Sequence, residues 1–317
     1  MRRILSIFIL IFASNVLAGN DIQNYQRIFL PIYTADGKPM VAIRVFKRNK
    51  IPSFLAVDPY LLTTQIIPIT ALYPKQLFKK HKKKLFYHWK LASTPYYQLL
   101  IKNTSPPYLL ENQGITHAKK SISKGNILTI DLCPSSHFFE DDFFKQLVVK
   151  AEKTNKAVPV TIAISGLWLL GHPEEFKWLQ NVEKDKKLDI TWANHSFSHL
   201  YYKDLSYSEN FMRAESTNVD NEILLTEQYL LEAGELPSIF FRFPGLVANH
   251  ALINKIRTYG LIPLGTDAWI ADLQARHQQI TPGGVILVHG NNNEHAGILL
   301  IKPLVKNMTL LDIKNSL

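Results

Sequence analysis

The chain has 317 residues, and 46% of them are hydrophobic, so it can bury a large core and general disorder is excluded. Its formal net charge of +10 favours acidic partners, but the basic residues are mostly scattered and form no nucleic-acid-binding motif. We therefore expect no nucleic-acid partner. The one cysteine, Cys133, excludes an intramolecular disulfide, so the fold must depend on its core.

The first 18 residues have the pattern of a secretory signal peptide. Arg2 and Arg3 precede an apolar stretch, residues 4–13, that is too short to span a bilayer. Residues 16–18 fit the small-x-Ala cleavage rule. We expect cleavage after Ala18 and export to the periplasm or the cell exterior, with an uncleaved anchor as the alternative.

Residues 19–118 are predicted to form a small, strand-rich N-terminal accessory module. Strand-like runs at 27–33, 40–46, 54–57 and 64–69 are punctuated by turn residues, and Ala35-Asp36-Gly37-Lys38 is a hairpin signal. The basic run from Lys79 to Lys84 either contacts an anionic polymer or membrane or is a solvated surface. Apart from the signal peptide, it is the one membrane contact that the sequence suggests. Residues 114–125 read as a linker.

Strands and helices alternate from residue 126 onward. The predicted strands cover 127–131, 158–164, 188–192, 239–243, 261–264 and 285–289. Predicted helices open at His172, cover about 208–233 and about 249–259, and follow Gly297. This alternation is typical of an α/β domain, here residues 119–317, with a mainly parallel sheet that is either open or closed into a barrel.

Reactive side chains follow the ends of these strands. They are Asp131, His195, His199, Arg242, Asp267 and His289. Each alone has an ordinary structural explanation, such as a helix cap, a surface cation or a hydrogen-bonded core histidine. The carboxyl ends of parallel strands meet at one edge of a sheet, and a hydrolytic metal site needs ligands, a base and an acid. The set together therefore indicates such a site.

The two histidines in His195-Ser196-Phe197-Ser198-His199 are four residues apart. If a helical turn begins after Asn194, both imidazoles lie on one face and form half of a transition-metal site, usually occupied by zinc. Ser196 stands where the zinc-protease motif has its glutamate base. A catalytic base must therefore come from elsewhere.

Residues 126–317 resemble a polysaccharide deacetylase domain, also called the NodB-homology or carbohydrate esterase family 4 domain. The matching motifs, in family order, are Thr129-Ile130-Asp131-Leu132-Cys133-Pro134, His195-Ser196-Phe197-Ser198-His199, Arg242-Phe243-Pro244-Gly245, Asp267-Ala268-Trp269 and Leu287-Val288-His289. The second motif is the most specific, and the fourth is a loose match. The resemblance implies a distorted (β/α) barrel of the polysaccharide deacetylase type, preceded by the N-terminal module.

The resemblance also implies a metal centre and an activity. His195 and His199 would hold a divalent metal, usually Zn²⁺, which polarises an N-acetyl carbonyl and acidifies a water molecule. The backbone N–H of Gly245 would help to bind the oxyanion, at a position where the family has a tyrosine. The implied reaction removes N-acetyl groups from an amino-sugar polysaccharide, such as peptidoglycan, an exopolysaccharide or a chitin-like glycan. A small amide or an O-acetyl ester is a further substrate alternative.

Acid and base roles carry over by the same resemblance. Asp131 stands at the position of the general base, and Arg242 would pair with it. His289 stands at the position of the general acid that protonates the leaving amine. Asp267 would hold the imidazole of His289 charged and oriented.

The main departure from the family is Leu132, which replaces an aspartate that ligates the metal. The metal would then bind to two histidines plus water, or a nearby side chain such as His137, Asp141 or Asp142 would complete the site. A third alternative is that Asp131 ligates the metal directly. The alternative to an enzyme is a catalytically impaired glycan-binding module with the deacetylase fold.

Overall fold

The computed structural model describes residues 19–72, 90–121, 124–270 and 279–317. The predicted signal peptide and the basic run from Lys79 to Lys84 lie outside the described residues. Within them, no helix is long and apolar enough to cross a membrane. The described chain contains two β-sheets, one of four strands and one of seven.

The first sheet is antiparallel and comes from the N-terminal part of the chain. Its strands, in spatial order, are β1 (Ile22–Tyr33), β2 (Pro39–Arg48), β3 (Ile51–Val57) and β4 (Thr64–Pro68). All four predicted strands are confirmed. Gly37, with φ of +84°, provides the left-handed backbone that the predicted turn between β1 and β2 requires.

The second sheet is a curled half-barrel of seven strands that pair in parallel. The strands are β5 (Ile127–Leu132), β6 (Val158–Ile164), β7 (Leu188–Asn194), β8 (Phe240–Phe241), β9 (Ile262–Pro263), β10 (Ala268–Trp269) and β11 (Val285–His289). Their spatial order is β10-β11-β5-β6-β7-β8-β9. The predicted fold class is therefore confirmed, although β8 and β9 are shorter than expected and β10 was not predicted.

Helices connect most strands of this sheet; the first helix of the described chain precedes the sheet and the last two follow it. The helices are α1 (Pro95–Thr104), α2 (Asp141–Thr154), α3 (Gly166–Gly171), α4 (Pro173–Lys184), α5 (Val219–Glu232), α6 (His250–Thr258), α7 (His295–Val305) and α8 (Ile313–Ser316). The prediction of one helix over 208–233 is wrong in its first half. Helix α5 begins only at Val219, because the side chain of Asn218 accepts a hydrogen bond from the backbone N–H of Asn221 and caps the helix.

Successive residues of β5 face two different cores. Leu128, Ile130 and Leu132 point outward and pack in a cluster with helices α2 and α4. Ile127 belongs to a second cluster, together with Val41 and other side chains of the N-terminal sheet. The N-terminal sheet therefore packs near the edge where the parallel strands begin, which leaves the opposite, carboxyl edge for the candidate site.

The first part of the segment read as a linker is attached to the barrel, from the end of β9 to the start of β11. Ile115 pairs with Leu264, and His117 pairs with Gly284, through isolated β-bridges. Backbone hydrogen bonds from Ala118 to Gly283 and from Val285 to Thr116 extend the contact. Residues 115–118 thus run along the barrel as part of the structure.

Candidate metal centre and active site

The strand register brings the predicted reactive side chains to the carboxyl edge of the parallel sheet. His289 pairs with Asp131 across β11 and β5. Asn194 pairs with Phe241 across β7 and β8, so His195 and Arg242 each follow by one residue. Asp131, His195, Arg242 and His289 are all at most 9% exposed. The sheet therefore gathers a carboxylate, a guanidinium and two imidazoles in a buried site.

His195 is held in the tautomer that suits a metal ligand. Its Nδ1 lies 2.8 Å from the carbonyl oxygen of Arg242, and because a carbonyl only accepts, Nδ1 carries the hydrogen. Its Nε2 then faces Asp131, with Oδ2 at 3.5 Å. Burial lowers the pKa of His195, and the nearby Asp131 carboxylate offsets only part of this shift. The imidazole is therefore neutral, with a free lone pair on Nε2.

Cys133 is a site residue that the sequence analysis did not recognise. Its Sγ lies 3.4 Å from Nε2 of His195. One potential ligand atom each from Cys133, His195 and His199 lies within 4.8 Å of the others. Tetrahedral zinc, with bonds of about 2.3 Å to sulfur and about 2.0 Å to nitrogen, separates these atoms by roughly 3.5 Å. The donor set and its spacing fit a zinc ion.

The acidity of Cys133 also fits a metal ligand. Burial raises the pKa of the thiol, but the imidazoles of His199 and His289 lower it more, and the net pKa is about 7. A substantial fraction of the thiol is therefore ionised near neutral pH. Thiolate is the form that binds metals.

The alternation of side chains along β5 explains why Cys133 takes this place. Leu132 is buried among the outer helices, so it points away from the site. Asp131 and Cys133 are two residues apart and point to the same side. Asp131 does not belong to the group of side chains whose potential ligand atoms lie close to one another. This arrangement therefore does not favour direct ligation of a metal by the Asp131 carboxylate.

The side chains that the sequence offered as a third ligand lie elsewhere. Asp141 and Asp142 open helix α2, where they pair with Lys145 and Lys302. His137 is exposed on the preceding loop. None of the three joins the cluster around His195.

Arg242 and Asp131 form a buried pair with unused hydrogen-bonding capacity. Nε of Arg242 lies 3.9 Å from Oδ1 of Asp131, and Nη2 donates to Oγ1 of Thr129 at 2.8 Å. Burial lowers the pKa of Arg242, and Asp131 opposes this shift. Oδ1 of Asp131 and two nitrogens of Arg242 have no hydrogen-bond partner in the structure. Such atoms at a buried site are suited to a polar ligand.

His289 is held in its charged form by two neighbouring groups, Cys133 and a carboxylate. Its Nδ1 lies 2.6 Å from Oε2 of Glu294, which also accepts a hydrogen bond of 2.9 Å from the indole of Trp269. Burial lowers the pKa of His289, but Cys133 and Glu294 outweigh burial, and the net pKa lies well above its usual value. His289 therefore carries a proton that it can donate.

The predicted pairing of Asp267 with His289 is wrong. The backbone N–H of Asp267 donates to Val285 at the start of β11, four residues before His289, and the Asp267 carboxylate pairs with His117. The reason is the register of the unpredicted strand β10, in which Ala268 lies beside Ile286. Glu294, in the turn after β11, takes the position expected for Asp267.

The helical turn after Asn194, on which the shared face of the two imidazoles was conditional, is absent. Ser196 and His199 have φ values of +65° and +47°, the left-handed region that non-glycine residues rarely adopt. Glu222 of α5 accepts hydrogen bonds from the backbone N–H groups of Phe197 at 3.0 Å and Ser198 at 2.9 Å. This loop, and not a helix face, brings the two imidazoles together, with ring centroids 4.7 Å apart.

Gly245 lies in the turn after β8, where its φ is +61°. The Tyr207 hydroxyl donates to its carbonyl oxygen at 2.7 Å. A Cβ at this position would come within 2.3 Å of the Phe211 ring. The turn therefore requires glycine in this chain. The oxyanion role of its N–H stays a prediction.

Comparisons with known proteins give two findings. The family model for the RP012 protein N-terminal domain matches residues 23–97, which include the four-stranded sheet. Solved structures similar to the chain are family 4 carbohydrate esterases. One, from Bacillus anthracis, has 17% identity and a TM-score of 0.45, over 72% of this chain and 94% of that one.

Another is PdaA of Bacillus subtilis, with 14% identity and a TM-score of 0.45, over 68% of this chain and 86% of that one. A third is the family 4 pseudoenzyme BA3943 of Bacillus anthracis, with 16% identity and a TM-score of 0.44, over 65% and 69%. The similar structures thus include enzymes and a pseudoenzyme.

Proposed function

We propose that the chain is a metal-dependent hydrolase that removes N-acetyl groups from an amino-sugar polysaccharide. The observation that carries this proposal is the third donor, Cys133, beside His195 and His199. A three-residue ligand set with an open fourth position is the usual arrangement of catalytic zinc. Leu132 stands where the family has a metal-ligating aspartate, and Cys133 thereby takes over that ligand role.

Cys133, His195 and His199 would hold the metal. When bound there, zinc supplies a Lewis acid for the acetyl carbonyl and acidifies water. The hydrogen bond from Nδ1 of His195 to the Arg242 carbonyl fixes the ring that presents Nε2 to the metal.

Asp131 is the base in this proposal. Its carboxylate lies beside His195 with one oxygen unpartnered, in position to accept a proton from the attacking water. The buried guanidinium of Arg242 partly neutralises the negative charge that Asp131 brings into the site. The new bond joins the water oxygen to the acetyl carbon.

His289 is the acid. Cys133 and Glu294 together keep its imidazole protonated, so it can give a proton to the amide nitrogen as the carbon–nitrogen bond breaks. The products are acetate and the free amine of the sugar. Gly245 is proposed to add a backbone N–H toward the developing oxyanion.

The signal-peptide pattern and the charge of +10 support an exported protein that acts on a cell-envelope glycan, such as peptidoglycan or an exopolysaccharide. Residues 19–118 are proposed as the accessory part of this protein and residues 119–317 as its catalytic part. Among the described residues, the absence of a membrane-crossing helix adds nothing to this choice.

The test is acetate release from acetylated envelope glycans and from chitin oligomers, with zinc supplied. His195→Ala and His289→Ala are expected to abolish release, whereas His117→Ala, at the opposite edge of the sheet, is expected to retain it. Full activity in either of the first two variants would rule out the mechanism. Zinc binding and glycan binding without acetate release would identify an impaired, glycan-binding relative of the enzymes.

A further inference from the structure

An aromatic cluster lies directly beside the candidate metal centre, on the loop that follows His199. Phe211 is buried at its centre, and its ring centroid lies 5.4 Å from that of His199. The ring centroids of Tyr201 and Tyr207 each lie 5.5 Å from the ring centroid of Phe211. We call Tyr201, Tyr207 and Phe211 the aromatic rim.

The two tyrosines of the rim are exposed although their loop is firmly held. Tyr201 is 55% exposed and Tyr207 is 43% exposed. The fully buried side chain of Asn210 accepts hydrogen bonds from the backbone N–H groups of Tyr202 and Phe211 and donates to the carbonyl oxygens of Tyr202 and Leu205. An ordered loop that presents large aromatic faces to solvent next to a reactive site is typical of a binding surface.

The rim also fills the space above the turn at Gly245. A Cβ at residue 245 would collide with the Phe211 ring and would lie 2.8 Å from the Tyr207 hydroxyl oxygen. The Tyr207 hydroxyl anchors to the Gly245 carbonyl and so fixes the phenol ring over this turn. The ring at this side of the site is therefore supplied by the neighbouring loop and not by residue 245.

We propose that Tyr201 and Tyr207 form a sugar-binding subsite that stacks on a pyranose ring next to the residue that is deacetylated. This inference rests on the proposed function. Pyranose faces are apolar and flat, and they suit the exposed phenol faces, while the Tyr201 hydroxyl can meet sugar hydroxyls. The same loop carries Lys203, Asp204 and Glu209, a net charge of −1 that does not fit an anionic lipid surface.

The experiment compares Tyr201→Ala, Tyr207→Ala and Tyr207→Phe with Tyr60→Ala, whose side chain is 50% exposed on the distant N-terminal sheet. With a pentamer of N-acetylglucosamine as substrate, we expect the two rim alanine variants to raise KM about two- to tenfold, the size of one aromatic contact. With the dimer, which reaches fewer subsites, their effect should be smaller. Tyr207→Phe keeps the ring and should change KM less than Tyr207→Ala, and Tyr60→Ala should match the unsubstituted protein.

Calorimetric binding of the pentamer, in a His289→Ala background, separates this inference from the proposed function. If the unsubstituted protein, with His289 intact, releases no acetate but the rim alanine variants bind the pentamer two- to tenfold more weakly than their His289→Ala parent, the subsite stands and the catalytic proposal fails. Equal pentamer affinity in the rim variants and in their common parent would overturn the subsite, as would the absence of any pentamer binding by that parent. Thermal melting of each variant identifies any that fail to fold, and Tyr207→Phe then provides the comparison.

Discussion

Cys133 is the residue on which the metal centre depends most. Replacing it with serine removes the thiolate but keeps the size of the side chain. We expect Cys133→Ser to lower zinc affinity by more than the roughly 10- to 100-fold that loss of an outer-shell partner costs. Cys133→Asp should retain more affinity than Cys133→Ser, because a carboxylate is also a zinc ligand. Competition with a chromophoric chelator measures both, and unchanged affinity in Cys133→Ser would contradict the assignment.

The position of Cys133 could have been inferred from sequence. Once Asp131 is placed on the inner face of β5, period-2 alternation puts Leu132 on the outer face and Cys133 back on the inner one. The motif comparison directed attention to the residue that replaces the family's ligand, Leu132. The strand geometry, which does not depend on that comparison, points to the next residue.

Glu294 helps Cys133 to keep His289 charged, and removal of Glu294 should change the pH dependence of activity. The carboxylate raises the pKa of His289. Since the acid must be protonated, activity falls as pH rises through that pKa. Glu294→Gln lowers the pKa of His289, so the alkaline limb of kcat/KM should move to lower pH.

The matched control for this pH profile is Asp267→Asn, because Asp267 pairs with His117 at the other edge of the sheet. Its alkaline limb should stay in place. A shift in Asp267→Asn with none in Glu294→Gln would restore the role that the sequence analysis gave to Asp267. Sequence reasoning missed Glu294 because its contact with His289 depends on the turn after β11, which no local pattern specifies.

At the scale of elements, helix α5 fixes the loop that carries the two histidines. Its Glu222 accepts the backbone hydrogen bonds of Phe197 and Ser198 and also one from the Ser198 hydroxyl. Glu222→Ala leaves these three half-buried donors without their partner, and because water can reach them in part, each costs less than the about 1–3 kcal/mol of a fully buried unpaired donor. We expect the free energy of unfolding to fall by about 2–3 kcal/mol, together with zinc affinity.

Urea denaturation and zinc titration measure the two effects of Glu222→Ala. Glu209→Ala is the matched control, since Glu209 is exposed in the following loop and bonds to Ser206. The control should change neither quantity appreciably. Wild-type zinc affinity in a destabilised Glu222→Ala protein would show that the loop does not need this support.

The strands of the barrel could be predicted from sequence better than the helix starts. Long apolar, β-branched runs such as 158–164 and 285–289 match the observed strands residue for residue. The start of α5 was misplaced by eleven residues, because both Ser208 and Asn218 are plausible N-cap residues and only tertiary packing selects between them. The left-handed backbone at His199 also depends on tertiary packing, so no local pattern in the sequence predicts it.

At the scale of the whole molecule, a buried ion pair joins the N-terminal sheet to the barrel. Arg44 of β2 lies 2.6 Å from Glu227 of α5, and the Tyr25 hydroxyl donates to the same carboxylate at 2.9 Å. Removal of one partner leaves the other charge buried and unpaired. We expect Arg44→Met to lower the free energy of unfolding by about 3–5 kcal/mol.

The double variant Arg44→Met/Glu227→Leu should recover part of that loss, because neither charge then remains buried. Lys145→Ala breaks the exposed pair with Asp141 and provides the control, with an expected loss below about 1 kcal/mol. Urea denaturation measures all three. A double variant that is less stable than Arg44→Met alone would contradict this explanation.

The packing of the N-terminal sheet on the barrel was not predicted, because it depends on contacts between distant parts of the chain. Val41 and Ile43 share a core with Ile127 and Val285, and no local periodicity reveals that pairing. The sequence did indicate the strands themselves and the turn at Gly37. Residues 114–125 read as a linker from their polar, glycine-containing composition, whereas Ile115 and His117 pair with the barrel.

The most direct test of the central claim is the near-ultraviolet absorption of the protein during titration with Co²⁺, a spectroscopic substitute for Zn²⁺. The account predicts a thiolate-to-cobalt charge-transfer band that saturates at one metal per chain. Because the chain has a single cysteine, that band can come only from Cys133. It should disappear in Cys133→Ser and weaken strongly in His195→Ala and His199→Ala. Tight binding of one Co²⁺ without this band would place the metal on other ligands and contradict the proposed centre.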